Sequence, residues 1–127
     1  MKYRKLGRAD LLCSVIGFGC WGLGGVAYGP ISENTSKKVL DKSFDKGLNF
    51  YDTSDLYGFG DDGRSEKILG SVFKKKRDKV ILASKFGLLP HDGWFMPERY
   101  NLSYLNIALE KSLRRLNTDY IDLIQLH

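Results

Sequence analysis

The amino-acid sequence predicts an α/β fold built on a parallel sheet. Two observations support this prediction. Short apolar runs such as KVILAS (79–84) are typical of strands that are buried on both faces. The segments between these runs carry apolar residues at helical spacing, so strands and helices alternate along the chain. Such alternation is typical of a parallel sheet with right-handed crossovers, and 127 residues are enough for one modest domain of this kind.

The N-terminal segment predicts a β-hairpin that leads into the first buried strand. MKYRKLG (1–7) and LLCSVIGFG (11–19) are extended runs separated by the turn residues RAD. A first helix is predicted within ISENTSKKVLDKSFDKG (31–47), with Ser32 as its N-cap and Gly47 at its end. LNFYDTS (48–54) then predicts the second strand. The apolar stripe of the helix consists of Val39, Leu40 and Phe44.

The second half of the chain continues this alternation. After the loop DLYGFGDDG (55–63), a second helix is predicted from about Arg64, and KVILAS is the third strand. The polar and aromatic loop 88–102 precedes a third helix, for which Ser103 is the predicted N-cap. DYIDLIQL (119–126) predicts a fourth buried strand. The apolar residues behind the two helix predictions are Ile68, Leu69, Val72 and Phe73 in the second helix and Leu105, Ala108, Leu109, Leu113 and Leu116 in the third.

The composition favours a globular protein with neither a nucleic-acid nor a membrane partner. Part of the net charge of +5 lies in KKKRDK (74–79), where no aromatic residues interleave the cations, so we expect a solvated helix end. The uncharged stretch 11–32 contains glycines and Pro30, which do not sustain a signal or membrane helix. Cys13 and Cys20 form no disulfide framework and no metal-ligand spacing with the two histidines, which predicts a reduced, cytoplasmic setting and no metal.

The glycine-rich stretch GFGCWG (17–22) matches the dinucleotide fingerprint G-x-G-x-x-G in letters but not in context. In that fingerprint the third glycine opens a helix. Here further glycines and Pro30 follow, so no helix can begin for about ten residues, and the acidic residue of the fingerprint is missing from its expected place. We interpret these glycines as positions where the backbone can approach a flat ligand at the mouth of the first strand.

A stronger signal is the set of polar residues at the carboxyl ends of the predicted strands. Asp52 ends the second strand, Tyr57 follows it by five residues, Lys85 ends the third strand and His127 ends the fourth. Each residue alone has a structural explanation, as a cap, a loop anchor, a solvated strand end or a core histidine. Four titratable groups at the edge where parallel α/β folds bind ligands instead indicate an active site.

The chemistry of these four residue types suits carbonyl reduction. A lysine cation beside a tyrosine favours the phenolate and makes the hydroxyl a better proton donor. An aspartate paired with that lysine holds it charged and oriented, and a neutral histidine can hydrogen-bond a substrate carbonyl and set its angle. The set therefore suits protonation of a carbonyl oxygen while a hydride arrives at the carbon.

These residues lie within motifs that resemble the aldo-keto reductases. The likeness runs from about Lys2 to His127, and the combination of YDTSDLYG and SEKILG is highly specific, whereas GFG alone is not. The sequences SDLYG and RSEKILG are similar to those of the branch of the family that includes potassium-channel β subunits and bacterial sugar dehydrogenases. The motifs that carry the resemblance are IGFGCWGLGG (16–25), FYDTSDLYGFG (50–60), RSEKILG (64–70), ASKFG (83–87) and YIDLIQLH (120–127).

The resemblance implies the N-terminal half of a (β/α)8 TIM barrel with an N-terminal β-hairpin, four parallel strands and three helices. Residues 1–127 would then be a partial aldo-keto reductase domain, truncated after the fourth barrel strand. The resemblance also implies an oxidoreductase that uses NADPH, less often NADH, to reduce aldehydes and ketones or to oxidise alcohols and sugars. Matched residue by residue, the catalytic Asp-Tyr-Lys-His tetrad of the family falls on Asp52, Tyr57, Lys85 and His127.

The resemblance further assigns cofactor and substrate contacts. The nicotinamide side of the cofactor site falls on Gly19, Cys20 and Trp21, together with Asp52. The family's adenosine- and phosphate-binding segments lie mostly after the seventh and eighth strands, so this chain lacks most of that site, and we expect its open sheet edges to self-associate. The expected substrate contacts are Trp21, Tyr57 and His127, with Trp94, Phe95 and Tyr100 from the third loop.

Two alternatives to a catalytic domain remain at this point. The scaffold can serve as a non-catalytic NADPH-binding regulatory subunit, or the chain can be an inactive truncated fragment. Stoichiometric NADPH binding without turnover would distinguish the first alternative from an enzyme.

Overall fold

The computed structural model describes residues 1–26, 28–58, 63–87 and 101–127. At the N-terminus, β1 (Tyr3–Lys5) pairs antiparallel with β2 (Leu12–Ser14), as the two extended runs predict. The hairpin is fastened to the rest of the molecule by the Asn49 side chain, whose Oδ1 accepts from the Ser14 N–H at 2.7 Å and whose Nδ2 donates to the Leu12 carbonyl at 2.9 Å.

Four parallel strands follow in the order in which they occur along the chain. They are β3 (Phe18–Gly19), β4 (Phe50–Asp52), β5 (Ile81–Phe86) and β6 (Leu123–Leu126). The register pairs Gly19 with Asp52 and Lys85 with Gln125, so the carboxyl ends of all four strands lie at one edge. The α/β prediction and the strand order are therefore confirmed.

The described part of the chain forms three α-helices, α1 (Glu33–Asp45), α2 (Arg64–Phe73) and α3 (Leu102–Leu116). They bury their apolar residues against the strands in one core, and full burial of a Leu or Phe side chain contributes about 1.5–3 kcal/mol. Val39 is an exception to the predicted stripe of α1, since it is exposed. The buried core side chains include Leu40, Tyr51, Ile68, Leu69, Phe73, Leu82 and Leu116.

The caps of two helices test the sequence predictions. Ser32 caps α1, where its Oγ accepts from the Thr35 N–H at 3.0 Å, as predicted. The prediction of Ser103 as the cap of α3 is wrong, because Asn101 holds that position and its Oδ1 accepts from the Tyr104 N–H at 2.9 Å. Serine and asparagine are equally good N-caps, so local sequence could not separate the two positions.

The charged segment 74–79 forms a 3-10 turn after α2, and the prediction of a fully solvated segment is wrong at Arg77. The Arg77 guanidinium pairs with Asp122 at 2.6 Å, and both side chains are largely buried. It also stacks 3.8 Å from the centre of the Tyr120 ring. Arg77 therefore fastens this turn to the segment that leads into β6.

The last strand differs from the buried strand that was predicted. β6 begins only at Leu123, and its residues alternate between half-buried and exposed, with Ile124 and Leu126 on the exposed side. The physical reason is that β6 is an edge of the sheet in the part of the chain that the structure describes, and β3 is the other edge. Within the same residues, none of the helices has the length and apolar character that crossing a membrane requires.

Candidate active site

The parallel register brings four predicted side chains to the carboxyl edge of the sheet. Asp52 is the last residue of β4, Lys85 lies near the end of β5 and His127 follows β6 directly. Tyr57 reaches the same edge from the loop after β4. We refer to Asp52, Tyr57, Lys85 and His127 as the polar cluster.

Lys85 is the centre of the polar cluster. Its Nζ donates to Asp52 Oδ1 at 2.8 Å, to Asp52 Oδ2 at 2.7 Å and to the Thr53 carbonyl at 2.9 Å. The same Nζ lies 3.2 Å from the Tyr57 hydroxyl. An ammonium group held by a carboxylate on one side and a phenol on the other is the arrangement expected of a proton-donating tyrosine.

Tyr57 is held by the close approach of two loops. Its N–H donates to the Ser54 carbonyl at 3.2 Å, and its carbonyl accepts from the Ser65 N–H at 3.0 Å. A Cβ at Gly24 would lie 2.8 Å from the Gly58 nitrogen, so only glycine at that position lets the loop after β3 pack against the residue that follows Tyr57. This explains one of the further glycines that follow the fingerprint-like stretch 17–22.

His127 is exposed at the sheet edge but is oriented on two sides. Its N–H donates to the Phe86 carbonyl at 2.8 Å, and its Nδ1 lies 3.1 Å from Ser54 Oγ. The imidazole meets the Tyr57 ring edge-on, with 5.9 Å between ring centroids and 82° between ring planes. Partial burial and the charge of Lys85 lower the pKa of His127, with a smaller opposing effect from Asp52, so the ring is neutral at pH 7.

The three residues expected to face a nicotinamide, Gly19, Cys20 and Trp21, differ in how accessible their side-chain positions are. Trp21 is half-exposed and its ring lies 6.5 Å from that of Tyr57. A side chain at Gly19 would meet no heavy atom within 4 Å, so the space beside β3 is open there. The Cys20 side chain is fully buried, its N–H donates to the Asp52 carbonyl, and its carbonyl accepts from Ser65 Oγ. Burial and the nearby Asp52 raise the pKa of the Cys20 thiol. Trp94, Phe95 and Tyr100, predicted to wall the substrate pocket, lie outside the described residues.

The side chains of Ser54 and Gln125 also contact the polar cluster, and neither residue was singled out from the sequence. Ser54 holds the imidazole of His127, and the Gln125 amide lies 3.5 Å from Asp52 Oδ1. A signal for Gln125 was present, because residues i and i+2 of a strand share a face and Gln125 precedes His127 by two. Ser54 stands beyond the end of β4, where strand periodicity no longer indicates a direction.

A buried ionic network lies beneath the polar cluster and joins three elements. Glu66 of α2 is completely buried, accepts from Ser84 Oγ at 2.6 Å and pairs with Arg115 Nε at 2.6 Å. Arg115 in turn donates to Ser112 Oγ at 3.1 Å. Because Ser84 immediately precedes Lys85, this network fixes the end of β5 relative to α2 and α3.

Comparison with known proteins places the chain in a family. The profile of the aldo/keto reductase family matches residues 15–127, and the chain therefore belongs to that family. Among curated relatives, an uncharacterised oxidoreductase of Bacillus subtilis (YqkF) is 42% identical over 130 residues, which cover 100% of this chain and 39% of the relative. The chain thus spans about two fifths of the length of such relatives.

Solved structures agree with this assignment. An aldo-keto reductase of Bacillus halodurans in its holo form superposes with a TM-score of 0.84 at 39% identity, covering 100% of this chain and 40% of that protein. An aldo-keto reductase of Klebsiella pneumoniae in complex with NADPH gives a TM-score of 0.72 at 32% identity, covering 91% of this chain and 36% of that one. The hairpin, the four parallel strands and the three helices correspond to the N-terminal half of the (β/α)8 barrel of this family.

Proposed function

We propose that the polar cluster is the catalytic tetrad of a nicotinamide-dependent aldo-keto reductase, and that residues 1–127 supply the catalytic half of the barrel. Such an enzyme reduces an aldehyde or ketone or oxidises the corresponding alcohol or sugar. The observation that carries the proposal is the position of Lys85 Nζ, within 2.7 Å of Asp52 and 3.2 Å of the Tyr57 hydroxyl.

In this proposal Tyr57 is the general acid and gives its hydroxyl proton to the carbonyl oxygen. Lys85 stabilises the phenolate that remains, and Asp52 keeps Lys85 charged and directed at Tyr57 through its two short contacts. His127, whose lowered pKa keeps it neutral, contacts the substrate oxygen and sets its angle. In the oxidation direction the same hydroxyl oxygen takes back the proton.

The residues at the end of β3 fit a flat nicotinamide ring. Trp21 offers a half-exposed aromatic face beside Tyr57, and the open space at Gly19 lets a planar group lie against the backbone. Cys20 would take part through its backbone, since its side chain is buried. When bound, the nicotinamide supplies the hydride that adds to the carbonyl carbon. The Klebsiella pneumoniae relative in complex with NADPH supports NADPH over NADH as the proposed cofactor.

The test uses a chimeric barrel, defined as residues 1–127 of this chain followed by the remaining segments of the Bacillus halodurans relative. All four residues of the polar cluster then come from this chain. We expect NADPH oxidation with a simple aldehyde, and a loss of at least about 10²-fold on Lys85→Met. Equal rates for the parent and Lys85→Met would contradict the proposal. Stoichiometric NADPH binding without turnover in the parent would instead favour a regulatory subunit.

A further inference from the structure

Ser54 occupies a position between a carboxyl group and the imidazole of His127. Its Oγ donates to Asp55 Oδ1 at 3.1 Å and lies 3.1 Å from His127 Nδ1. The Leu56 N–H donates to the same oxygen at 3.1 Å. Ser54 is completely buried, so water does not reach its hydroxyl.

The number of hydrogens available decides how these contacts can be made. A hydroxyl has one hydrogen and accepts two hydrogen bonds. One acceptor position of Ser54 is used by the Leu56 N–H, so Asp55 and His127 share the single hydrogen and the other acceptor position.

When Asp55 is ionised it can only accept, and the Ser54 hydrogen must point to it. His127 Nδ1 then has to carry a hydrogen and donate to Ser54, and in a neutral ring Nε2 is left as an acceptor. When Asp55, Ser54 and His127 together hold one more proton, Nε2 carries a hydrogen and acts as a donor. This holds whether the added proton is on Asp55 or on the imidazole. A protonated Asp55 donates to Ser54, which donates to Nδ1, and Nε2 carries the ring hydrogen. A protonated imidazole likewise carries a hydrogen on Nε2.

We propose that Ser54 is a positioning residue for His127 that couples the hydrogen-bonding role of Nε2 to a proton held by the Asp55–Ser54–His127 unit. This inference deepens the proposed function, on which its catalytic consequence rests. With the extra proton, Nε2 donates to a carbonyl oxygen, the substrate of reduction. Without it, Nε2 accepts from an alcohol hydroxyl, the substrate of oxidation. Ser54 therefore links the substrate group that His127 can hydrogen-bond, carbonyl or hydroxyl, to pH.

The groups around the unit set the pH range of the change. Burial and, to a smaller extent, the charge of Glu66 on α2 raise the pKa of Asp55 to about 6, against the opposing effects of the hydrogen bond from Ser54, the charge of Arg115 on α3 and the Leu56 N–H. On the side of the sheet, Lys85 of β5 lowers the pKa of His127 and Asp52 of β4 raises it. The tautomer change is thus centred near pH 6.

The first experiment determines by ¹⁵N NMR which ring nitrogen of His127 carries the hydrogen, and it needs neither NADPH nor turnover. The 127-residue chain is labelled with ¹⁵N-histidine, and His127 is assigned by the resonances that His127→Gln removes. If the free chain precipitates, the same resonances are read in the chimeric barrel. At pH 8 we expect the Nδ1–H tautomer in the parent and in Ser54→Thr, which keeps the hydroxyl. Ser54→Ala should shift the ring toward the Nε2–H form that imidazole prefers in water.

Asp55→Asn provides a second variant that keeps the shape of the site and cannot ionise. In this variant we expect the tautomer change near pH 6 to vanish, leaving only the protonation of the imidazole. Ser71→Ala removes a hydroxyl of α2 that donates to the Ile68 carbonyl of its own helix at 2.8 Å, and it should leave the His127 resonances unchanged. An Nε2–H tautomer at pH 8 in the parent, unchanged in Ser54→Ala, would overturn the proposal.

The second experiment measures catalysis in the chimeric barrel. At pH 8 Ser54→Ala should raise kcat/KM for aldehyde reduction by up to about tenfold, the size expected for one hydrogen bond, because it shifts His127 toward the Nε2–H tautomer that donates to a carbonyl. It should also remove the step near pH 6 from the pH profile of kcat/KM for reduction, while Ser54→Thr retains that step. If the chimeric barrel is inactive, the proposed function fails while the tautomer measurement still decides the role of Ser54.

Discussion

Removing Arg115 should destabilise the molecule strongly, because it leaves a buried carboxylate without its cation. Glu66 is fully buried and only 12% of the Arg115 side chain is exposed. In Arg115→Met the Glu66 carboxylate retains the Ser84 hydroxyl as its partner, at 2.6 Å. Breaking a buried ion pair by removing one member costs about 3–5 kcal/mol. That is a large part of the roughly 5–15 kcal/mol by which a domain is usually stable.

The measurement is urea unfolding followed by circular dichroism at one fixed protein concentration, since any self-association makes stability depend on concentration. Arg114→Met is the matched control, because Arg114 pairs with Glu110 at 3.6 Å on the surface and both side chains are mostly exposed. We expect little change for Arg114→Met, since exposed pairs contribute little.

A double variant separates the loss of charge balance from the loss of packing. Glu66→Gln with Arg115→Met removes both charges and keeps an amide oxygen that can accept from Ser84. It should be more stable than Arg115→Met alone, because no unpaired charge stays buried. A loss in Arg115→Met no larger than that of Arg114→Met would refute the reasoning, as would a double variant less stable than the single one.

Two further predictions concern pH and association. The raised pKa of Asp55, about 6, means that the folded state binds this proton more tightly than the unfolded state does. Its contribution is therefore fully present below about pH 4 and is lost as the pH rises through about 6, by up to about 3 kcal/mol. Asp55→Asn should remove that part of the pH dependence of the free energy of unfolding, measured by urea unfolding. If this free energy changed with pH equally in both proteins, the contribution of Asp55 would be excluded. The free chain should self-associate through β3 and β6, the two edges of the sheet among the described residues, and show no turnover with NADPH and an aldehyde. In size-exclusion chromatography with light scattering, Ile124→Lys should reduce association, whereas an active monomer would contradict the prediction.

Local patterns were enough to predict most of the fold. Apolar runs and helical stripes gave the order of the elements, because each pattern reports burial on one or both faces of an element. They failed where burial depends on distant neighbours. Ile124 and Leu126 read as core residues, yet they lie on an edge strand and are exposed. Arg77 read as a solvated cation, yet Asp122, far along the chain, pairs with it.

Part of the candidate site could also be predicted from local patterns, because these patterns show where strands end. Asp52, Lys85 and His127 each follow an apolar run, so parallel topology alone indicates that they converge. Ser54 has no such signal, since its role depends on the position of His127, 73 residues later in the chain. The cap of α3 was missed because Asn101 and Ser103 are chemically equivalent candidates. Contacts between residues distant in sequence are therefore what the structure adds.

The variant Tyr57→Phe in the chimeric barrel tests most directly whether the Tyr57 hydroxyl donates the proton. The ring contacts with Trp21 and His127 remain in this variant, so NADPH should bind as in the parent in a fluorescence titration. The rate of aldehyde reduction should fall by about 10²–10⁴-fold, the contribution of a positioned general acid. Tyr28→Phe is the matched control, since Tyr28 also contacts Trp21, and it should retain activity. A rate for Tyr57→Phe within a few-fold of the parent would contradict the account.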